Sequence, residues 1–288
     1  MSDLMSTGIG FLDEMLDGGL EPGTLTVVHG ATGVGKTQLG LAFLNAGLAP
    51  EGARGVLIDL TTRGDSQQHA AYAQRLFGWE LADGEAAAED VWHAEPPLAE
   101  RFVGLDYSGK PVTRANLGDD EWRRHQARLN QRLEAATAFL YAHFVHGARR
   151  AVIDGIEPAT RVEDSIQLQL IEYIYQHVLR TEHDWVAREL FRGRWMQIRD
   201  RVAAHAYDKD SIAAMVLQTS TEVMLDDLLA RDTLDGDLTT NANTVILLGR
   251  QAVGTEIGRA AFVLKHRGRR CSERVVPFRI TERGIEPA

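Results

Sequence analysis

A glycine-rich stretch, GATGVGKT (residues 30–37), has the residue types and spacing of a phosphate-binding loop. Its Gly30, Gly35, Lys36 and Thr37 match the pattern G-x-x-x-x-G-K-[ST], between a strand pattern and a helix pattern. Glycines let backbone N–H groups wrap around phosphates, Lys36 can reach the β and γ phosphates, and Thr37 can ligate Mg²⁺. The residues predicted to contact the nucleotide are Gly30, Ala31, Thr32, Gly33, Val34, Gly35, Lys36, Thr37 and Gln38.

A second candidate group is Asp154, which ends the short apolar run AVID (151–154). A carboxylate at the end of a strand beside a phosphate-binding loop is the Walker B residue that helps to hold Mg²⁺. The alternative is an aspartate that only begins a turn, as many strands have. Given the loop, we predict that Thr37 and Asp154 form the metal site.

These groups need a scaffold, which the apolar runs of the chain predict. Most runs lack polar–apolar alternation, as is typical of strands buried on both faces of a sheet. Helical spacing follows the loop (36–47) and recurs around 129–144 and 166–178. This order predicts an α/β fold with a mostly parallel sheet flanked by helices and a C-terminal β-hairpin. The predicted strands are 25–29, 55–59, 151–154, 213–220, 244–249, 261–266 and 274–280.

Composition narrows the functional classes. The chain has 288 residues, a formal net charge of -10 and one cysteine, Cys271, which excludes an intramolecular disulfide and a cysteine zinc site. Bulk attraction to nucleic acid or to anionic membrane is not expected of an acidic protein. The first residues lack a signal-peptide pattern, and no apolar run reaches the roughly 20 residues that span a bilayer. We therefore predict a soluble, cytoplasmic protein.

The segment STGIGFLDEMLDGGLEPGTLTVVHGATGVGKTQL (6–39) resembles the opening of KaiC-like and RadA-like ATPases of the RecA superfamily. The segments ARGVLIDL and RLFGWEL resemble the next strand and helix, and FVLKHRGRRCSERVVPFRITERGI (262–285) resembles the KaiC-type C-terminal hairpin. The resemblance implies one RecA-like P-loop domain over residues 1–288. Two segments, about 82–145 and 160–210, are longer than a minimal KaiC domain requires, and within 82–122 the stretches ADGEAAAED and EPPLAE read as a surface excursion.

The resemblance also implies partners and roles. Relatives form rings, usually hexamers, with ATP and Mg²⁺ between subunits, so a homo-oligomer is expected. Lys36, Lys265 and Arg267 correspond to catalytic positions, the last two reaching the γ-phosphate of the neighbouring subunit. Thr219 and Ser220 follow the fourth strand, where relatives place polar residues that sense the γ-phosphate.

The chain departs from the family at the end of the second strand. Relatives carry a catalytic glutamate there, whereas this chain has Thr61 and Thr62, which cannot act as a general base near neutral pH. Asp59, Asp65 and Glu157 are near in sequence, but none has the family position. The sequence therefore predicts nucleotide binding with weak hydrolysis.

Two segments bear on nucleic-acid binding. The stretch after the fourth strand, 222–237, is acidic where recombinases bind DNA, which disfavours DNA in that loop. Segment 188–201 is rich in arginine and contains Phe191 and Trp195, which suits either single-strand binding or, as we favour, packing or partner contact. The acids of the first segment are Glu222, Asp226, Asp227, Asp232, Asp235 and Asp237, against Arg231.

Three functions follow from these patterns. The leading hypothesis is a KaiC-like ATP-binding protein, a weak ATPase that works as a nucleotide-dependent oligomeric switch. The alternative is a DNA repair or recombination ATPase of RecA or RadA type. A third hypothesis is a structural oligomer that keeps nucleotide only to hold subunits together.

Overall fold

The computed structural model describes residues 4–62, 68–85, 91–92, 99–105, 109, 112–159, 161–231 and 238–288. Asp65 and three of the predicted loop acids, Asp232, Asp235 and Asp237, lie outside these residues.

Within the described residues, the strands form one nine-stranded sheet of order β3-β2-β4-β5-β1-β6-β7-β8-β9. All pairings from β3 to β6 are parallel, and those from β6 to β9 are antiparallel. This arrangement is the predicted RecA-like α/β fold, with a mostly parallel sheet and antiparallel C-terminal strands. The strands are β1 (Leu25–Gly30), β2 (Val56–Asp59), β3 (Arg101–Val103), β4 (Arg150–Ile156), β5 (Ala213–Thr219), β6 (Thr244–Val253), β7 (Glu256–His266), β8 (Val276–Thr281) and β9 (Gly284–Pro287).

Helices cover both faces of the sheet. Neighbouring residues of one strand enter different cores: Val27 packs with α5 to α8 on one face, and Val28 packs with α1, α2 and α4 on the other. This two-sided burial explains why the central strands read as unbroken apolar runs. The helices are α1 (Gly10–Met15), α2 (Lys36–Asn45), α3 (Leu48–Glu51), α4 (His69–Phe77), α5 (Asp119–Val145), α6 (Ile166–Ile174), α7 (His183–Leu190), α8 (Trp195–Ala204) and α9 (Leu225–Ala230).

The C-terminal hairpin is present, but its strands pair differently from the simple prediction. The last two predicted runs, in β7 and β8, are antiparallel neighbours that pair over only three residues, Arg259–Ala261 with Val276–Phe278. The tight turns instead join β6 to β7 and β8 to β9. No sequence pattern predicts β9, because its four residues are mostly exposed or half-buried.

The described residues of the two predicted surface stretches, 82–85 and 99–100, are exposed or half-buried, but residues around them enter the core. Strand β3 lies at the sheet edge there, and Val91, Phe102 and Val112 are fully buried in the main core. The buried apolar residues of this segment are isolated in the sequence, so no periodic pattern predicts that they enter the core. Whether 82–145 and 160–210 are insertions in a single domain stays a prediction.

The long segments are built mainly of helix. The first turn of α5 carries Asp119, Asp120 and Glu121, and the Glu121 carboxylate accepts a 3.2 Å hydrogen bond from the Gly118 N–H, which stabilises the helix start. Aromatic packing then joins the segments, since Trp92 stacks on Phe191. Among the described residues, the helices are all too short or too polar to cross a bilayer.

Candidate functional site

The glycine-rich loop joins the end of β1 to the start of α2. Gly33 and Gly35 have φ values of 80° and 112°, a left-handed conformation that side chains disfavour. A Cβ at Gly30 would lie 2.1 Å from the Leu248 carbonyl oxygen, so the β1–β6 contact excludes any side chain there. The loop and the start of α2 line a cavity of about 140 Å³ with Thr32, Gly33, Gly35, Lys36, Thr37 and Gln38. The remaining predicted loop residues, Ala31 and Val34, are buried in the core beneath it.

Lys36 points back into the loop. Its Nζ donates hydrogen bonds to the carbonyl oxygens of Gly30 at 2.7 Å and Ala31 at 2.9 Å. Burial lowers the pKa of Lys36 to about 8, and Asp154 partly opposes that shift. An ammonium held only by neutral carbonyl oxygens gains attraction between opposite charges when a phosphate oxygen takes their place.

Thr37 and Asp154 meet across the sheet edge. The Thr37 hydroxyl donates to Asp154 Oδ2 at 2.8 Å, and the Gly155 N–H donates to Asp154 Oδ1 at 2.7 Å. A hydroxyl and a carboxylate are the oxygen donors that Mg²⁺ prefers. Across the described parts of the chain, no three His, Cys, Asp or Glu residues form a metal site by themselves, so an ion here would need phosphate and water oxygens as well.

A buried histidine joins Asp154 to a second carboxylate. His69, the first residue of α4, has 0% exposure; its Nε2 lies 2.9 Å from Asp154 Oδ2 and its Nδ1 lies 3.2 Å from Asp59 Oδ2. Burial alone lowers the pKa of His69, but the hydrogen bonds and charges of Asp154 and Asp59 outweigh it and raise the pKa to about 9. Burial likewise raises the pKa of Asp59, but His69 and Thr61 outweigh it and hold the pKa below its usual value. The group is therefore an imidazolium between two carboxylates near neutral pH.

Of the two threonines that replace the family glutamate, Thr61 is hydrogen-bonded to Asp59. The Thr61 hydroxyl donates to Asp59 Oδ1 at 2.6 Å, and the Thr61 N–H donates to the same oxygen at 2.9 Å. Thr62 is 1% exposed. Both carboxylate oxygens of Asp59 are also occupied, one by Thr61 and the other by His69, so Asp59 is not placed to accept a proton from water. Glu157, another nearby acid, uses its backbone N–H to contact Gln167.

The end of β5 reaches the same cavity. Thr219 lines it, and the Ser220 N–H donates to the Gly30 carbonyl at 3.0 Å. The Ser220 hydroxyl donates to Glu222, and that bond is the largest cause holding the pKa of Glu222 below its usual value. The predicted sensor residues thus lie beside the loop.

The C-terminal hairpin covers the loop. A Cβ at Gly35 would lie 3.2 Å from Ile280 and 3.4 Å from Ile285, and Tyr72 of α4 lines the cavity with Ile280. Arg75 of α4 donates to the Glu282 carbonyl at 3.0 Å, which ties α4 to the turn between β8 and β9.

Lys265 and Arg267 are not brought to this cavity. Lys265 pairs with Val245, which pairs with Val27 of β1. Both cations therefore lie toward the start of β1, whereas Gly30 is at its end. The Lys265 Nζ donates to the Thr239 carbonyl at 2.7 Å, and Arg267 donates to the Thr240 carbonyl at 3.0 Å. A role for them at a phosphate requires a second copy of the chain.

Sequence reasoning missed His69, Tyr72 and the cover from Ile280. His69 and Tyr72 lie three residues apart on one face of α4, the helix that follows β2, and that spacing is the only local signal. Another histidine, His266, is 7% exposed, and its Nδ1 lies 2.9 Å from the Thr244 hydroxyl.

The Arg-rich segment 188–201 is distant from these groups in the fold and folds onto α5 and α6. Phe191 is buried against Trp92 and Tyr141, so this aromatic residue packs within the chain. The Arg188 guanidinium lies 4.6 Å from the Trp195 ring centre and 5.1 Å from that of Trp185. The aromatic faces are therefore partly used inside the protein.

Comparison with known proteins agrees with this geometry. A family model described as the KaiC ATPase matches residues 5–172. The circadian clock protein KaiC2 of Synechocystis sp. is 36% identical over 77 residues, which is 27% of this chain and 13% of KaiC2. The DNA repair and recombination protein RadB of Halobacterium salinarum is 36% identical over 87 residues, 30% of this chain and 34% of RadB. Each match thus spans well under two-thirds of the relative.

Proposed function

Since the chain belongs to the KaiC ATPase family, we propose that it binds ATP with Mg²⁺ at the glycine-rich loop and acts as a homo-oligomeric, nucleotide-dependent switch with slow hydrolysis. The observation that carries this proposal is the 2.8 Å contact between Thr37 and Asp154 beside the buried Lys36. It brings the two predicted metal-holding groups together from distant parts of the chain.

Each part of the cavity has a role in holding nucleotide. Backbone N–H groups of the loop and Lys36 would hold the phosphates, and Tyr72 and Ile280 would form an apolar wall beside them. Thr37 and Asp154 would hold Mg²⁺, which neutralises phosphate charge when bound. Lys36 would give up its bonds to the carbonyls of Gly30 and Ala31 for phosphate oxygens.

Slow hydrolysis is proposed because the described candidate groups at the end of β2, Asp59 and Thr61, are engaged with other residues. Thr61 donates to Asp59, and Asp59 faces His69, so none of these groups is placed to accept a proton from water. Positioning and electrostatic stabilisation still support phosphoryl transfer, which leaves a low rate rather than none.

The homo-oligomer, which we propose to be a hexameric ring, follows from the position of the two distal cations. Members of the family form oligomers, and Lys265 and Arg267 lie where only a neighbouring copy's nucleotide could meet them. In such a ring their bonds to Thr239 and Thr240 would be exchanged for the γ-phosphate. We keep the cytoplasm as the expected location.

DNA repair remains a second candidate because RadB is among the relatives. Arg188 and its neighbouring tryptophans offer one basic, aromatic surface. Against it, Glu222, Asp226 and Asp227 give the described part of the loop after β5 a negative charge. A filter-binding assay with single-stranded DNA across salt concentrations separates the candidates, since phosphate-driven binding weakens steeply with salt.

The main test measures ATP turnover and assembly mass together for the wild type and for Lys36→Ala. We expect ATP to promote assembly, turnover to be slow, and Lys36→Ala to lower ATP affinity by about 100-fold, because it removes charge-assisted bonds to phosphate. Lys209→Ala, a lysine held by Asp210 and Glu182, is the matched control and should leave all three quantities unchanged.

Three results would count against the proposal. Wild-type protein that takes up no ATP with Mg²⁺ contradicts it outright. Fast turnover would contradict the absence of a base. Identical assembly with ATP, ADP and a non-hydrolysable analogue would favour a structural oligomer.

A further inference from the structure

Two buried carboxylates stand side by side at the sheet edge. Asp59 and Asp154 are register partners on the parallel strands β2 and β4, and they are 6% and 1% exposed. Neighbouring strands lie about 4.8 Å apart, so two like charges in this position repel each other strongly unless a donor lies between them. The chain supplies that donor from a third element, α4.

His69 lies between the two carboxylates: one ring nitrogen is hydrogen-bonded to Asp154, and the other is within ion-pair distance of Asp59. One nitrogen, Nε2, is 2.9 Å from Asp154 Oδ2, and the other is 3.2 Å from Asp59 Oδ2. His69 has no exposed surface. The ring therefore links the two strand ends into one rigid group.

The oxygen that His69 contacts is the one that faces Thr37. Asp154 Oδ2 accepts from the Thr37 hydroxyl and from His69, while Oδ1 accepts from the Gly155 N–H. Gly155 fixes one end of the carboxylate, and His69 fixes its rotation at the other end. Without His69, Thr37 alone would hold Oδ2 in place against repulsion from Asp59.

We propose that His69 is a positioning residue for the Mg²⁺–nucleotide site: by bridging Asp59 and Asp154 it holds the Asp154 carboxylate against Thr37. The inference rests on the proposed function, because it assumes that Thr37 and Asp154 meet a metal ion. It assigns Asp59 an indirect role in place of the missing base: Asp59 orients His69, which orients Asp154. Outer partners of metal ligands commonly act in this way.

A simpler role, support of α4 alone, makes a different prediction. The same helix places Tyr72 at the cavity and ties Arg75 to the turn between β8 and β9. If His69 only anchored α4, its loss would shift Tyr72 and weaken nucleotide binding with and without metal to the same extent. A positioning role instead affects only the metal-dependent part of binding. The ratio of the two affinities distinguishes these roles.

The experiment measures that ratio with full-length protein. A fluorescent ADP probe is titrated in EDTA and then over a range of Mg²⁺ concentrations, and the coupling factor is the gain in affinity at saturating Mg²⁺. The variants are His69→Gln, Asp59→Asn and Asp154→Asn. His143→Gln is the matched control, because His143 is also a buried histidine but lies on α5 and contacts the Phe139 carbonyl. Thermal unfolding reports whether each variant folds.

We expect His69→Gln to lower the coupling factor at least tenfold, toward the value of Asp154→Asn, since lost outer partners typically cost 10–100-fold in metal affinity. Asp59→Asn should lower it in the same direction by about threefold or more. In both variants the affinity in EDTA should stay near that of the wild type, and His143→Gln should match the wild type throughout.

Three outcomes overturn the inference: an unchanged coupling factor in His69→Gln, an equal loss with and without Mg²⁺, or an increase. The last would mean that His69 only neutralises charge and that freed carboxylates bind metal better. If His69→Gln does not fold, Asp59→Asn decides by the same criteria. Wild-type protein that binds no probe refutes the proposed function itself, whereas failure of the inference leaves wild-type binding intact.

Discussion

Strands β1 and β2 end on the same side of the sheet, yet only the residues after β1 match the motif of the family. At β1 the glycine-rich loop, Lys36 and Thr37 are all present, and Asp154 from β4 meets them. At β2 the position of the catalytic glutamate holds Thr61, whose hydroxyl donates to Asp59. In the proposed function, nucleotide binding and turnover are thus carried by different strands. One can be kept while the other is lost, without any change of fold.

The largest expected effect comes from breaking the β1 end. Gly30→Ala places a Cβ where the Leu248 carbonyl and Val34 stand, at 2.1 and 3.1 Å. We expect loss of measurable nucleotide binding and a fall of about 1–3 kcal/mol in the free energy of unfolding, as for other overpacked sites. Fluorescent-nucleotide titration and urea unfolding measure the two quantities.

Gly10→Ala is the control for that substitution. Gly10 begins α1, a Cβ there would meet no atom within 4 Å, and alanine favours helix. It should leave nucleotide binding unchanged and leave stability unchanged or slightly raised. Equal effects of the two variants would refute the close approach of β1 and β6 as the cause.

The next largest effect is expected from restoring the family residue at the end of β2. Thr61→Glu returns a carboxylate to the family position, and general-base catalysis contributes about 100-fold or more where geometry is right. We expect turnover to rise about 10–100-fold with little change in ATP affinity. Steady-state phosphate release measures the rate.

Thr61→Val separates the carboxylate from the lost hydrogen bond. It removes the 2.6 Å bond to Asp59 but adds no base, so turnover should stay at the wild-type level. A rate increase in both variants would show that release of Asp59, not the new glutamate, is responsible.

The smallest effect is a pH dependence of stability at the β2 end. The pKa of His69 is raised to about 9 in the folded protein, so its stabilisation is complete below the unfolded value near 6.5 and is lost as pH rises through 9. The difference in unfolding free energy between wild type and His69→Gln, without nucleotide, should therefore shrink by about 1–3 kcal/mol from pH 6.5 to 9. Lys36, whose pKa is lowered, acts in the opposite direction but cancels in this difference.

Denaturant unfolding across that pH range measures the effect. His143→Gln is again the control, because burial lowers the pKa of His143 to about 4, so its charge in the folded protein does not change in this window. A difference that stays constant with pH would contradict the imidazolium assignment.

Much of the fold was readable because its signals are local. Strands β1, β4, β5 and β6 are apolar runs buried on both faces, and the predicted mostly parallel sheet is confirmed. Strand β3 was missed because only one of its three residues, Phe102, is buried, and its pairing with β2 depends on distant chain. Short edge strands carry too little pattern to be recognised alone.

The site divides in the same way. Lys36 and Thr37 belong to one contiguous motif, and Asp154 ends a recognisable strand, so sequence sufficed to name them as candidates. His69 has partners in β2 and β4, one of them 85 residues away in sequence. A single histidine with no repeat spacing has no signature until the fold brings its acids together. The roles of all these residues stay predictions until the variants are measured.

The hairpin of β8 and β9 contacts the loop, although β6 and β7 lie between this hairpin and β1 in the strand order of the sheet. The loop is therefore synthesised early, and its cover is synthesised among the last parts of this sequence. On the ribosome, the backbone N–H groups of the loop would be exposed to solvent long before Ile280 is synthesised. They would be covered only after the C-terminal strands have paired with the sheet. Nucleotide binding in the covered cavity would then indicate that folding is complete. A tag attached next to β9 would lie close to the entrance of the cavity.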